Sequence, residues 1–246
     1  MANSPIKTAI VTGASRGIGR AVVLRLARDG FAVVVNYAGN TAEAEEVVAE
    51  IKSACGRAIA VQADIAKATD VERLFDEAER AFGPVGVVVN SAGVMKMLPL
   101  ATASGDDFDA IFATNVRGAF NVLQQAAKRV SDGGRILTLS TSVIALSLPR
   151  YGPYAASKAA VEVLTRTLAH ELRGRRITVN AVAPGPTATE LFFEGKSKEQ
   201  IDWFTKLAPL ERLGTSDDIA NVVSLLAGPD GGWVNGQVLR ANGGYA

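Results

Sequence analysis

The chain has 246 residues, is 48% apolar, and carries 26 Lys and Arg against 25 Asp and Glu. That allows one large α/β domain or two small ones with a sizeable core, while the scattered basic residues exclude the stripe that nucleic acid requires. No apolar run is long enough to span a bilayer, and Cys55 stands alone, so no internal disulfide forms and a cytoplasmic location is the simplest reading.

The start, MANSPIKTAIVTG, runs straight into an apolar strand. It lacks the charged start, long apolar run and small-residue cleavage site of a secretion signal. Strands are expected at Lys7–Thr12, Ala32–Asn36, Ala58–Gln62, Val85–Asn90, Arg135–Ser140, Ile177–Ala183 and Gln237–Arg240. Most are β-branched and apolar on both faces, as in a parallel sheet covered on two sides. Helices are expected between them, at Ile18–Asp29, Thr41–Ala54, Thr69–Phe82, Asp106–Val130, Tyr154–Arg173 and Ser216–Ala227. This βα alternation predicts an α/β fold: a Rossmann-like, doubly wound parallel sheet of about seven strands with helices on both faces. The links are short and no low-complexity segment divides the chain, so residues 1–246 read as one domain. The exception is 190–213, a long connection after the sixth strand. A long insertion at a strand's C-terminal edge is where lids are found, and a substrate lid is expected there.

Two motifs carry chemistry. TGASRGIG, Thr12–Gly19, follows the first strand and opens a helix. Gly13, Gly17 and Gly19 permit a tight turn and close backbone approach, and the helix N-terminus offers free N–H groups to a phosphate. The spacing is G-x-x-x-G-x-G rather than the commoner dinucleotide fingerprint. YAASK, Tyr154–Lys158, sets a phenol and an ammonium at i and i+4 on one helix face. A free phenol titrates near pH 10; a neighbouring ammonium and an oxidised nicotinamide would lower that value and make the group an acid or base.

These motifs, with NSAG at Asn90–Gly93, Asn115 and the pair Pro184–Gly185, resemble the classical short-chain dehydrogenase/reductase family along essentially the whole chain. NSAG departs from the commoner NNAG. The resemblance implies a single Rossmann-like domain, a nicotinamide cofactor and alcohol/carbonyl redox chemistry. It places Gly13, Ser15, Arg16, Gly17, Ile18 and Gly19 at the cofactor phosphates and Asp64 and Ile65 at the adenine. It places Asn90, Ala92 and Gly93 beside the adenine ribose, and Pro184, Gly185, Thr187 and Thr189 at the nicotinamide amide and phosphates. Lys158 would hold the nicotinamide ribose. Asn115 resembles the family asparagine whose backbone kinks its helix and holds a water in a proton relay from Lys158.

An NAD site carries an acid about 20 residues past the glycines. Here Asn36 and Tyr37 stand in its place. Asn36 would donate to a 2′-phosphate and Arg16 supplies positive charge, so the cofactor is expected to be NADP, as NADPH. A hydroxyl must hold the substrate oxygen. LSTS, Leu139–Ser142, offers three; Ser142 followed by Val143 and Ile144 best resembles the family pattern, while gap-free counting to Tyr154 selects Thr141. The expected catalytic set is Asn115, Ser142, Tyr154 and Lys158. His170 is the one histidine and lies about 160° round the helix from Tyr154. No cluster has metal-ligand spacing, so no metal is expected.

Val161, Leu164, Leu168 and Leu172 form a stripe on the tyrosine side of that helix. Ala156, Ala159 and Val163 form a second, with His170. Phe112, Val116 and Phe120 widen the stripe of the preceding helix. Two such faces predict self-association to a homodimer or homotetramer. The reading is an NADP-dependent oxidoreductase that reduces a small-molecule carbonyl substrate, with Tyr154 as proton donor. It is closest in appearance to 3-oxoacyl-carrier-protein reductases. Val94, Lys96, Ile144, Leu146, Tyr151, Leu191 and Phe192 are pocket candidates, and Arg129 and Arg173 could meet an acidic carrier. A non-catalytic NADPH-binding regulator would predict an eroded catalytic set, whereas all four residues are present. Neither nucleic acid nor membrane is an expected partner.

Overall fold

A computed structural model describes residues 8–246. Lys7, the first residue of the expected opening strand, and residues 1–6 lie outside the described residues. The strands are β1 (Thr8–Thr12), β2 (Ala32–Tyr37), β3 (Arg57–Gln62), β4 (Val85–Asn90), β5 (Arg135–Leu139), β6 (Thr178–Pro184) and β7 (Val238–Ala241). They pair in the order β3-β2-β1-β4-β5-β6-β7, and every pair is parallel. The order reverses between β1 and β4, and the carboxyl ends of these two strands open the crevice where such sheets bind ligands.

Alternation along each strand builds two cores. Ala9 and Val11 of β1 face a layer formed by α1 (Gly17–Arg28), α2 (Thr41–Ser53) and α9 (Ser216–Ala227). Ile10 points the other way, with Phe75 of α3 (Ala68–Phe82) and Val122 of α5 (Ala119–Arg129). Strands β1, β2 and β6 are buried throughout, as both-face apolar runs require. At the edges β3 and β7 keep half-exposed residues.

The expected helix Asp106–Val130 is interrupted. Helix α4 (Gly105–Phe112) passes into a π-helical turn, Ala113–Gly118, before α5 resumes. Asn115 lies in that wide turn. Its side chain clamps the Val94 backbone, accepting from N at 2.8 Å and donating to O at 2.9 Å. Helix α6 spans Gly152–Glu171, so Pro153 and Tyr154 occupy its first turn. The sheet side of α6 buries Val161, Leu168 and Leu172, while Ala156, Val163 and His170 are exposed.

The long connection folds into α7 (Glu190–Phe193) and α8 (Lys198–Leu207). Ser197 and Gln200 form a reciprocal capping box at the start of α8. This segment has its own small apolar cluster of Phe204, Ala208 and Tyr245, packed on Leu146, Leu148, Phe192 and Leu213. Among the described residues no helix is long and apolar enough to cross a membrane.

Candidate active site

The glycine loop turns at the end of β1. Gly13 and Gly17 have φ of +61° and +55°. A Cβ on Gly13 would lie 2.7 Å from Ala92 Cα, and one on Gly19 2.2 Å from Gly13 O. Both positions therefore require glycine. The N-terminus of α1 has no side-chain cap, whereas Asn40, Ser104, Ser197 and Thr215 cap α2, α4, α8 and α9. Its free N–H groups fit a pyrophosphate, with Ser15 and Ile18 on the same turn. Thr12 locks the loop to β4: its hydroxyl donates to Asn90 Oδ1 at 2.9 Å and accepts from the backbone N of Ser91 and Ala92, both at 3.1 Å.

Two residues expected at the 2′-phosphate face inward instead. Asn36 is buried; its amide donates to the carbonyls of Ala63 and Val61 at 3.0 and 3.2 Å and accepts from Gly13 N at 3.3 Å. It ties the glycine loop to β3 and has no hydrogen left for a ligand. Tyr37 is buried in the sheet's core. The reason is strand burial: β2 is covered on both faces to its last residue. Arg16 remains exposed, beside Glu190 at 3.3 Å across the groove. Such an exposed pair is weak and readily exchanged for a phosphate.

Asp64 accepts from Ala66 N at 3.0 Å, which leaves carboxylate capacity toward the groove. The Ile65 side chain is buried against Gly118, so any ligand contact there falls to its backbone. Gly185 packs on Asn242, where a Cβ would sit at 2.7 Å. Thr187 is buried and donates to Gly185 O at 2.9 Å; Thr189 caps α7.

Tyr154 and Lys158 are both buried at the end of β5. Lys158 Nζ donates to Leu139 O at 2.8 Å, and burial pushes the ammonium down to about 8. A Cβ on Gly93 would meet that Nζ at 3.1 Å and Asn115 Oδ1 at 3.3 Å, so the glycine leaves room for the lysine. Asn115 also donates to Ser157 Oγ at 3.0 Å. Burial pushes the Tyr154 phenol up to about 12, and the Thr141 hydroxyl pulls it partly back. The downward shift expected from the ammonium together with an oxidised nicotinamide is thus opposed by burial in the protein alone.

Ser142, expected to hold the substrate oxygen, turns away. Its hydroxyl donates to Ala183 O at 3.0 Å and accepts from Asn242 Nδ2 at 3.0 Å. Thr141 has extended backbone, so it and Ser142 point to opposite sides, and Thr141 is the hydroxyl beside Tyr154. Motif likeness favoured Ser142; the parity of an extended chain selects Thr141.

A cavity of about 320 Å³ lies between Leu148–Tyr151 and α8, bounded also by Met97, Lys196, Trp203 and Phe204. Of the seven pocket candidates only Tyr151 lines it. Lys96 pairs with Asp107 instead. The adjacent aromatics Trp203 and Phe204 were the sequence signal for this wall. Arg129 is committed to Asp76 and Glu79, over the Phe75 ring, and is not free for a carrier. Among the described residues no three His, Cys, Asp or Glu side chains cluster as metal ligands.

Comparison with known proteins shows the family. The family model described as enoyl-(acyl carrier protein) reductase matches residues 13–246. The chain is 50% identical over 248 residues to a short-chain type dehydrogenase/reductase of Picea abies, covering 97% of this chain and 92% of that one. The chain belongs to the classical short-chain dehydrogenase/reductase family. It is thus a short-chain oxidoreductase. It is 46% identical over 253 residues to an NADPH-dependent aldehyde reductase-like protein, chloroplastic, of Arabidopsis thaliana, covering 97% and 94%. A dehydrogenase/reductase crystal structure from Sinorhizobium meliloti superposes with a TM-score of 0.93 at 39% identity, covering 97% and 94%.

Two outcomes follow. Asn36→Asp sets a carboxylate against two carbonyls and lowers stability by about 3 kcal/mol or more, read from urea midpoints. It does not act as a simple cofactor-specificity switch. Lys158→Met removes the buried charge and raises stability at pH 7 by roughly 1–3 kcal/mol while activity is lost. The sign follows from the depressed folded-state value. Between about 8 and the ordinary 10.5 the folded chain has released the proton and the unfolded chain has not. Native stability therefore rises with pH across that window, and the variant's advantage shrinks; urea melts at several pH values read both effects.

Proposed function

We propose that the protein is an NADP-dependent carbonyl reductase in which Tyr154 gives the proton and Thr141 holds the substrate oxygen. The observation that carries this is the buried, protonated Tyr154 phenol beside Thr141, one helical turn from Lys158, at the end of a glycine-lined groove. What supports a cofactor there is the uncapped α1 N-terminus, brought to the end of β1 by a turn in which Gly13 and Gly19 have no room for a Cβ. The uncapped α1 N-terminus would hold the pyrophosphate and Arg16 the 2′-phosphate, with no acid at the end of β2 to repel it. Asp64 would meet the adenine; Asn90, Ala92 and Gly93 would shape the ribose site. Pro184, Gly185, Thr187 and Thr189 would line the nicotinamide end, with Lys158 on its ribose. NADPH, when bound, supplies the hydride.

The substrate oxygen accepts hydrogen bonds from Thr141 and Tyr154, and the Tyr154 proton passes to it as the alcohol forms. Lys158 steadies the phenolate left behind. Asn115, by clamping Val94 and Ser157, holds the wall against which Lys158 packs. Residues 190–213 serve as the lid, since their small separate cluster is only loosely joined to the main core. A 3-oxoacyl carrier substrate has less support, because Arg129 is committed and only exposed Arg173 remains. The Arabidopsis relative's name, an NADPH-dependent aldehyde reductase, supports both cofactor and reaction class. Exposed, unpaired Cys55 fits a reducing compartment such as the cytoplasm.

Activity tests the reading. With ketone or aldehyde substrates, NADPH oxidation should greatly exceed NADH oxidation. Tyr154→Phe should lower kcat by about 10²–10⁴-fold with NADPH affinity kept. Thr141→Val should cost far more activity than Ser142→Ala paired with a stability control. Near-native kcat in Tyr154→Phe, or an NADH preference, defeats the assignment.

Self-association through the α4–α6 face is part of the same proposal. Phe108, Phe120 and Val163 are 41%, 43% and 54% exposed, beside a groove of about 580 Å³ lined by Phe112, Val116 and Leu164. A second copy of the chain would cover them. Val163→Glu should convert a native dimer or tetramer to a smaller species by light scattering with folding intact. A native monomer refutes it.

A further inference from the structure

Helix α6 meets the end of β5 through polar side chains as well as apolar ones. Thr138 and Ser140 alternate with Leu137 and Leu139 along an extended chain, and both face α6. The Thr138 and Thr165 hydroxyls lie 2.8 Å apart. About one turn earlier on the helix, Glu162 Oε1 accepts from Ser140 Oγ at 2.5 Å. A turn earlier again Lys158 reaches Leu139 O, and at the next turn Tyr154 stands beside Thr141. The helix thus runs back along the strand end with a polar meeting at each turn. The bond between Glu162 and Ser140 is the nearest of these to the site that uses no group proposed for the reaction. Ser140 joins Leu139, whose carbonyl holds Lys158, to Thr141, and its own backbone N donates to Val182 O at 2.8 Å. Ser140 is 4% exposed and the Glu162 side chain 15%. Withdrawing a carboxylate that far from water loses hydration that an apolar residue would not have to give up. Arg166, half-exposed at 3.8 Å, is too loose a partner to offset that loss. What the carboxylate supplies in exchange is a contact of fixed length and direction.

We infer that Glu162 is a positioning residue: by holding Ser140 it fixes the slide of α6 along β5, and with it the place of Tyr154 on the helix relative to Thr141 on the strand. The inference rests on the reading of Tyr154 as proton donor and Thr141 as holder of the substrate oxygen, and it adds a residue that acts through both. The apolar contacts of Val161, Leu168 and Leu172 tolerate a small slide of the helix, because they have no preferred direction. The hydrogen bond from Ser140 does not. Lys158 cannot fix the register by itself, since its ammonium is also required at the nicotinamide ribose. A misplacement of about 1 Å between reacting groups can cost roughly a hundredfold in rate. An error in the slide of α6 therefore falls on the chemical step rather than on substrate or cofactor binding.

The test uses the full-length protein with NADPH and an aldehyde or ketone that it reduces. Glu162→Leu should lower kcat by about 10- to 100-fold while KM for the carbonyl compound and Kd for NADPH stay within about twofold. Glu162→Gln should restore kcat, because the amide oxygen still accepts from Ser140. Ser140→Ala should reproduce the loss, and adding it to Glu162→Leu should cost nothing more, as for two partners of one contact. Leu172→Ala, at the far end of α6, is the control: it lowers the melting temperature but keeps kcat. Light scattering should give all variants the native mass. Native kcat in Glu162→Leu, no rescue by Gln, or a loss that follows the melting temperature or the mass overturns the inference. Amide exchange across residues 138–143 reads the tie without any reaction. It should quicken about tenfold in Glu162→Leu and keep its native rate in Glu162→Gln. If Tyr154→Phe proves fully active, the reductase reading falls while quickened exchange still supports the tie. Unchanged exchange in Glu162→Leu overturns the tie whatever the chemistry.

Discussion

The Lys158 ammonium is buried and has one protein hydrogen bond, to Leu139 O at 2.8 Å. An ammonium in that position is costly, and the surrounding structure is arranged to hold it there. Gly93 lacks the Cβ that would press on Nζ. Asn115 holds the Val94 backbone in place from the π-helical turn, and the same amide reaches Ser157, one residue before the lysine. The carbonyl that accepts from Lys158 is the last of β5, so the charge sits at the carboxyl end of a central strand. These contacts join β4, β5, α6 and the interrupted helix around one cation. Beyond that bond the ammonium carries two further N–H donors. A π-helical turn costs backbone regularity, and here the irregularity coincides with the site.

Most of the frame was legible because its signals are periodic. Runs such as Val33–Val35 and Val87–Val89, apolar on both faces, can only be central parallel strands, and β4 and α9 emerged with their expected ends. Glycines were legible for a related reason: Gly13 and Gly17 adopt positive φ, and Gly19 leaves no room for a Cβ. That Tyr154 and Lys158 stand one turn apart on one helix followed from helical spacing, and both are buried. Side-chain direction at strand ends was less legible. Asn36 stands where an acid would select NAD, yet its strand stays covered to the end and the amide is consumed by backbone. Ser142 matched the motif, yet a single residue of extended chain decides which hydroxyl faces Tyr154. Such parity is set by where the strand stops and the short helical turn begins, Ser142–Ala145 here. Sequence pattern locates that boundary only to within a residue or two, and one residue inverts the answer.

The connection 190–213 shows the opposite balance. Its helices are short and were read only as a connection, because mixed apolar and charged residues over two dozen positions give no lasting period. The caps were visible in principle: Ser197 with Gln200, and Thr215 with Asp218, form reciprocal boxes. What could not be read was the partner of the apolar face. Phe204 packs on Tyr245, more than forty positions later, and on Phe192, a dozen earlier.

That arrangement separates two duties. The sheet and its two large cores hold the glycine loop, Tyr154 and Lys158 in fixed relation, since close-packed interiors do not deform gradually. The small cluster under α8 buries few side chains and can shift at little cost. Thr141, Tyr154 and Lys158, the residues proposed for the reaction itself, are on the rigid part. Trp203 and Phe204, which bound the 320 Å³ cavity, are on the adjustable part, with Tyr151 at the seam. The C-terminal segment crosses that seam too. Asn242 bonds Ser142 in the rigid half, and Tyr245 packs on Phe204 in the other. A shift of α8 is therefore felt at Tyr245 while Tyr154 stays where the sheet holds it.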